Sequence, residues 1–329
     1  MGTVSCIKVG GCFMKSVYIH IPFCKEICSY CDFCKMLYHS SFVDCYLNAL
    51  EKEVKDNYLG EILDTIYIGG GSPSCISIKQ LKKLFEITSL FKTSPHLEFT
   101  MEANFDSCDE EKLLLFKKNK VNRLSFGIES FEPKFLKVMK RNLSYEEVLE
   151  KIKICRKLGF DHINVDLMYG FKDQTLEDLK EDLNKVLSLS VDHISTYSLI
   201  LEEHTELYMH HYKRANDDLD SKMYSLIMKD LEDNGFYHYE ISNFCKEGHE
   251  SKHNLTYWNN EEYYGFGLGA SGYIKNRRYT NTRSLTNYLT GKRVLEIETL
   301  TLEEQMSYEM ILGLRKTRGV SKKEFPMLF

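Results

Sequence analysis

Six short β-rich runs, each followed by a helical pattern, restrict the fold of this 329-residue chain more than any other feature. The strand candidates are 17–21, 65–69, 97–101, 122–126, 162–167 and 193–199. Helix candidates lie near 40–57, 78–91, 109–118, 131–139, 144–158 and 175–188. The helix at 144–158 carries Val148, Ile152, Cys155 and Leu158 at the spacing of a buried stripe. Strand–helix units with short connections imply parallel strands and right-handed crossovers. The rhythm alone leaves two solutions, a doubly wound sheet or a barrel that need not close.

In either solution the strand ends matter, because parallel α/β folds collect ligands at the carboxyl ends of their strands. The second strand runs into Gly69-Gly-Gly-Ser-Pro-Ser74, the third into Glu102-Ala-Asn104 and the fourth into Gly127-Ile-Glu129. The fifth carries Asp166 and reaches Tyr169-Gly170. The first leads into Tyr18-Ile-His-Ile-Pro-Phe-Cys-Lys-Glu-Ile-Cys-Ser-Tyr-Cys-Asp-Phe-Cys34. All of these converge on one mouth.

Cys24, Cys28 and Cys31 stand in that last stretch in a C-x3-C-x2-C spacing, with Cys34 three positions on. Thiolates this dense in so short a segment are a soft-metal site. Structural zinc prefers two C-x2-C knuckles on separated loops, which is not this pattern. A closed ferredoxin-type cluster needs a fourth cysteine, for which Cys34 is available, and often a Cys-Pro, which is absent. An open 4Fe–4S cluster takes three cysteines and leaves one iron free, and this is the favoured reading.

Eleven cysteines in a chain without an export signal point to reduced thiols and a cytoplasmic setting. Lys8 and the nearby glycines interrupt any apolar h-region at the N-terminus. Met14-Lys15 stands directly before the first strand, so Met14 is an expected start and residues 1–13 an extension without a folding role. Cys6, Cys12, Cys45, Cys75, Cys108, Cys155 and Cys245 are read as small buried hydrophobes. A net charge of −5 and a pI near 6.2 speak against nucleic acid as a partner, and no apolar run reaches the roughly 18 residues of a membrane span.

The ordered motifs together resemble the radical S-adenosylmethionine (SAM) superfamily. Within it they are similar to the branch holding oxygen-independent coproporphyrinogen III dehydrogenase and the heme chaperones. The motifs concerned are Tyr18–Cys34, Gly69–Ser74, Glu102–Asn104, Arg123-Leu-Ser-Phe-Gly-Ile-Glu129 and Asp166-Leu-Met-Tyr-Gly170, and the likeness spans about residues 15–320. It implies an α/β fold, an incomplete (β/α)6 TIM-like barrel over residues 14–235 with a smaller α+β region over 236–329. It implies that Cys24, Cys28 and Cys31 each bind one iron of a 4Fe–4S cluster, and that SAM chelates the unique iron. Gly70, Gly71 and Ser72 then lie against the methionine amino group. Glu102, Arg141 and Asp166 match SAM-contacting positions, and Tyr18, Tyr30 and Ile200 match positions lining the same pocket. Glu129 stands where many relatives have Gln. A direct reading of Glu102 and Asp166 as an acid–base pair is also open, though substrate contact suits them better. His20 is read as structural.

Two features divide the branch. The dehydrogenases place a further cysteine two residues after the triad, where this chain has Phe33. The segment His253-Asn-Leu-Thr-Tyr-Trp258 resembles an HNxxYW motif of the heme chaperones, in which the histidine is tied to heme. Taken alone, His253 reads as a loop histidine bonded to backbone; with the motif, a heme role for it and porphyrin packing for Tyr257 and Trp258 become expectations. Cys34 reads as a spectator thiol or a heme ligand.

The resemblance therefore implies a heme chaperone that passes heme to acceptor hemoproteins such as respiratory cytochromes, cytoplasmic or peripheral at the inner membrane face. A flavodoxin-type electron donor is implied only if SAM is cleaved. The alternative is the dehydrogenase itself, an enzyme of radical oxidative decarboxylation. Relatives continue some tens of residues past the position of Phe329, so the C-terminal region is expected to be truncated.

Overall fold

A computed structural model describes residues 15–329. The expected extension 1–13, the start at Met14, and Cys6 and Cys12 lie outside the described residues.

The six expected strands form in order: β1 (Ser16–Ile21), β2 (Ile62–Gly70), β3 (Lys92–Ala103), β4 (Arg123–Glu129), β5 (His162–Tyr169) and β6 (His193–Ser198). Each pairs in parallel with the next, as strand–helix connections require. The connecting helices are α1 (Ser40–Asn57), α2 (Ile78–Thr88), α3 (Glu110–Lys118), α4 (Pro133–Met139), α5 (Tyr145–Lys157) and α6 (Leu176–Ser188). Several start at side-chain caps. Ser77, Ser144 and Thr175 each form a capping box with the Gln, Glu or Asp three residues on.

The row does not close on itself, which makes it the incomplete barrel rather than a complete one. The C-terminal region extends it at both sides. After α7 (Asp217–Asp233), β7 (Tyr237–Glu240) and β8 (Asn243–Cys245) form a hairpin on β6, antiparallel to it. Helix α8 (Lys252–Trp258) then crosses to the other side, where β9 (Tyr263–Phe266) pairs in parallel with β1. Strands β10 (Ser271–Ile274), β11 (Arg277–Asn281) and β12 (Val294–Thr299) follow as an antiparallel ribbon. The result among the described residues is a 12-stranded sheet, beside a two-stranded parallel sheet that pairs Phe23–Cys24 with Met36–Leu37. Helix α9 (Leu302–Gly313) follows, and a short helix α10 (Phe325–Leu328) comes after it.

Side-chain alternation explains why the barrel holds a site. Along β4, Leu124, Phe126 and Ile128 are fully buried on the helix side, and β5 repeats this with Ile163, Val165 and Leu167. The alternate residues, Arg123, Ser125 and Glu129 on β4 and Asn164 and Asp166 on β5, face inward and line a cleft. A barrel interior is usually packed with branched apolar residues; here it is polar.

Of the cysteines read as buried, Cys75, Cys108, Cys155 and Cys245 are buried and Cys45 is exposed. Cys45 sits on α1 between Val43 and Tyr46, which take the inward face, so the helical period turns it to solvent.

Candidate functional site

A cleft of about 750 Å³ opens at the carboxyl ends of the strands. Its wall includes Cys24, Cys28, Cys31, Tyr30, Gly70, Gly71, Ser72, Glu102, Glu129, Arg141, Asp166 and Ile200. The fold thus brings together twelve of the fourteen residues singled out from the sequence. Tyr18 and His253 are the two it places elsewhere.

The cysteine loop is pinned at its base and along its length. Met36 N–H donates to the Pro22 carbonyl (2.7 Å) and Tyr38 N–H to the Cys24 carbonyl (2.8 Å). The Ser29 hydroxyl donates to the Val138 carbonyl at the end of α4 (2.7 Å), and Lys35 Nζ donates to the Cys31 carbonyl. Gly71 is required by this packing, since a Cβ there would lie 2.8 Å from Cys24 Sγ and 2.9 Å from the Phe23 carbonyl oxygen. Gly70 adopts φ +121°, open to glycine alone at little cost.

The three thiols fit the implied cluster. Among the described residues no three of His, Cys, Asp and Glu converge on a single ion. Three thiols lining one cleft are the donor set a multi-iron cluster takes, with each thiolate on a different iron. Burial pushes the Cys24 thiol up to about 12 and the Cys31 thiol above its usual range, so metal would displace protons on binding.

Three carboxyls line the same cleft. The Tyr67 hydroxyl donates to Glu102 Oε1 (2.7 Å) and Gly70 N–H to its Oε2 (2.9 Å). Desolvation raises Glu102 to about 7, against the lowering effect of these two donors. Desolvation also raises Glu129, opposed by Arg141. Glu129 holds a left-handed φ of +68° at a register shift in β4, a conformation costing about 1–3 kcal/mol for a residue with a side chain. That turn aims its carboxylate at the Tyr30 hydroxyl (3.0 Å) and the Arg141 guanidinium (3.7 Å). Asp166 accepts from Asn164 Nδ2 (2.9 Å) and is likewise raised by desolvation.

Tyr18, expected in the pocket lining, stands one layer behind it. Its hydroxyl meets His20 Nδ1 (2.9 Å) and its ring lies 6.0 Å from that of Tyr67. His20 is structural as read: Nε2 donates to the Cys34 carbonyl (2.7 Å), and burial lowers the ring to about 4. Cys34 is not part of the cleft wall. Its side chain lies against Gly269 and is bonded by Arg283.

His253 departs furthest from expectation. It lies in helix α8, not a loop, and only 1% of it is exposed. Its partners are side chains rather than backbone. Nδ1 pairs with the Thr65 hydroxyl (2.7 Å), Nε2 with the Tyr257 hydroxyl (2.8 Å), and the ring stacks on Tyr67 at 5.0 Å. Both nitrogens are engaged, so no lone pair is presented to a heme iron here. Tyr257 packs on Tyr263, and Trp258 takes the Arg315 guanidinium on its face; neither is part of the cleft wall. Helix α8 instead packs behind the cleft, reaching its wall through Asn254 and the cap residue Ser251. Glu98 accepts from the Lys252 and His253 N–H groups (3.0 and 2.9 Å), the Ser16 and Thr256 hydroxyls pair at 2.8 Å, and Ser251 and Asn254 reach the cleft.

The reading by motif missed the inner layer. Asn164 Nδ2 donates to the Ser125 hydroxyl (2.8 Å), and its Oδ1 accepts from His193 Nδ1 (2.6 Å) and the Ser195 hydroxyl (3.1 Å). His193 Nε2 meets the Tyr239 hydroxyl at 2.8 Å. The signal was present as period-two alternation, with His162, Asn164 and Asp166 polar between apolar neighbours.

The radical SAM superfamily model matches residues 18–186. The chain is 46% identical over 326 residues to the heme chaperone HemW of Bacillus subtilis, covering 95% of this chain and 86% of that one. It is 32% identical over 288 residues to the heme chaperone HemW of Escherichia coli, covering 84% and 76%. In structure it is similar to coproporphyrinogen III oxidase (HemN) from Escherichia coli, a radical SAM enzyme. That match has a TM-score of 0.83 at 20% identity and covers 92% of this chain and 76% of that one. This last likeness shows the shared fold.

Proposed function

The chain belongs to the radical SAM superfamily and, within it, to the heme chaperones named HemW, and on that premise we propose that it binds heme and transfers it to acceptor hemoproteins. The superfamily implies a 4Fe–4S cluster and SAM. Cys24, Cys28 and Cys31 would hold the cluster. Tyr30, Gly70, Gly71, Ser72, Glu102, Glu129, Arg141, Asp166 and Ile200 would contact SAM, with Tyr18 supporting the wall from behind. When bound, the cluster supplies the electron for any cleavage of SAM. The residues themselves orient the ligand and keep its charged groups paired.

One observation carries the heme reading. The cleft is polar inside, yet its wall includes Phe33, Ile200 and Ile241, which are 68%, 65% and 43% exposed. Apolar side chains left open beside a polar, charged interior suit an amphipathic ligand, an apolar macrocycle bearing acid groups. Phe33 also occupies the position where the dehydrogenase branch has a further thiol. The same proposal includes respiratory cytochromes as acceptors, contact with the inner membrane face, and a flavodoxin-type donor wherever SAM is cleaved. Among the described residues no helix is long and apolar enough to cross a membrane.

The test is anaerobic. Reconstituted protein given hemin should develop a stable Soret band, and given coproporphyrinogen III, SAM and reductant it should leave the porphyrinogen unchanged. Formation of protoporphyrinogen IX would replace this reading with the dehydrogenase.

A further inference from the structure

Within the HNxxYW segment, His253 has a side chain that reaches neither the cleft nor solvent, yet it sits two contacts from the SAM site. Its ring lies 28° from the plane of Tyr67 with centroids 5.0 Å apart, and Tyr67 donates its hydroxyl to Glu102 (2.7 Å). Among the described residues, Glu102's other hydrogen-bond donor is the Gly70 N–H, and its carboxyl packs on Gly69. The direction of the Glu102 carboxylate therefore depends on where the Tyr67 ring rests. That ring stacks on His253 at 5.0 Å, closer than its tilted contact with Tyr18 at 6.0 Å.

His253 is itself fixed on every side. Thr65 on β2 and Tyr257 one turn along α8 hold its two nitrogens, and Tyr257 also meets its ring edge-on at 5.0 Å. The Glu98 carboxylate holds its backbone N–H (2.9 Å). Burial keeps the imidazole neutral, lowered to about 3. A neutral ring with both nitrogens engaged is a rigid platform.

We propose that His253 is a positioning residue of the SAM site, which seats Tyr67 so that Tyr67 can orient Glu102. The HNxxYW segment then works from behind the cleft wall, through aromatic stacking and one hydrogen bond, and not as a ligand to heme iron. This rests on the reading of Glu102 as a SAM contact.

The experiment measures SAM affinity by equilibrium dialysis on cluster-reconstituted protein, beside hemin titrations of the same preparations. Glu102→Gln comes first; unchanged SAM affinity there overturns the Glu102 reading and the proposal with it. Given a loss, His253→Ala and Tyr67→Phe should each weaken SAM binding about tenfold, the loss of one oriented hydrogen bond to a charged group. The double variant should also lose about tenfold, because both act through one contact. His253→Phe keeps the stacking face and should restore SAM affinity to within about threefold of wild type. In the His253 variants the position of the Soret band and the hemin affinity should stay as in wild type, since this side chain does not line the cleft. Multiplicative losses in the double variant, no rescue by Phe, or a Soret shift confined to the His253 variants would overturn the proposal.

Discussion

Nη1 of Arg141 lies 3.9 Å from the Cys28 sulfur while Nη2 donates to the Gly127 carbonyl at 2.6 Å. The guanidinium thus spans the two halves of the site, the thiol loop and the end of β4. Positive charge and hydrogen bonds at a cluster sulfur favour the reduced cluster. Arg141→Met should therefore lower the cluster potential by on the order of tens of millivolts, read by a dye-mediated redox titration followed by EPR. An unchanged potential would mean that the guanidinium does not act on the cluster.

The thiols divide by position. Cys24, Cys28 and Cys31 line the cleft and Cys34 does not. Replacing any one of the first three by Ser should abolish the iron–sulfur absorbance and most bound iron after reconstitution. Cys34→Ser should reconstitute as wild type. Iron analysis and visible absorbance decide it, and loss of the cluster in Cys34→Ser would put the fourth thiol back among the ligands.

Glu102 makes stability depend on pH in a defined direction. Its native value of about 7 lies above the roughly 4.3 of an unfolded glutamate. Between these values the native state binds more protons at this site than the unfolded chain does. Its contribution therefore falls as pH rises from about 4 to 7 and is flat beyond. The lowered histidines, His20 and His253 among them, act in the opposite sense, so the difference between wild type and Glu102→Gln is the informative quantity. In thermal melts without SAM, the wild type should lose ground to Glu102→Gln across that range. A constant difference would show that the carboxyl titrates normally.

Glu53 ties the barrel to the C-terminal region. It sits on α1, 3% exposed, and its carboxylate accepts from the Gly267 N–H (2.8 Å), Asn281 Nδ2 (2.7 Å) and the Tyr288 hydroxyl (2.5 Å). Glu53→Ala leaves three donors stranded and should cost about 3–5 kcal/mol in denaturant unfolding. Glu51→Ala, two residues away and paired with exposed Lys55 and half-buried Lys83, should cost under about 1 kcal/mol. Equal losses would deny Glu53 its role as the tie.

The sequence made the barrel legible because each strand–helix unit is local: a run, a cap such as Ser144 with Glu147, and an apolar stripe lie within thirty or so residues. The thiol loop and the strand-end carboxyls were legible for the same reason. Contacts between distant segments were not. Glu98 meets His253 across 155 positions and Glu53 meets Tyr288 across 235, and nothing in either neighbourhood announces the partner. His253 shows the consequence. Its residue type and motif suggested a ligand, whereas its surroundings, Thr65, Tyr67 and Tyr257, give it a supporting position. The inner row of Ser125, Asn164 and His193 was legible in principle from alternation, but its meaning required knowing that the sheet curls and that this face is the inside.

Heme transfer tests the account most directly. Reconstituted protein loaded with one equivalent of hemin is mixed with an apo-cytochrome under anaerobic conditions, and the acceptor's own heme spectrum is followed after the two are separated. The account predicts that heme appears on the acceptor faster than from free hemin at the same concentration, while the donor loses its Soret band in step. Heme that stays on the donor, or reaches the acceptor no faster than free hemin does, would contradict it.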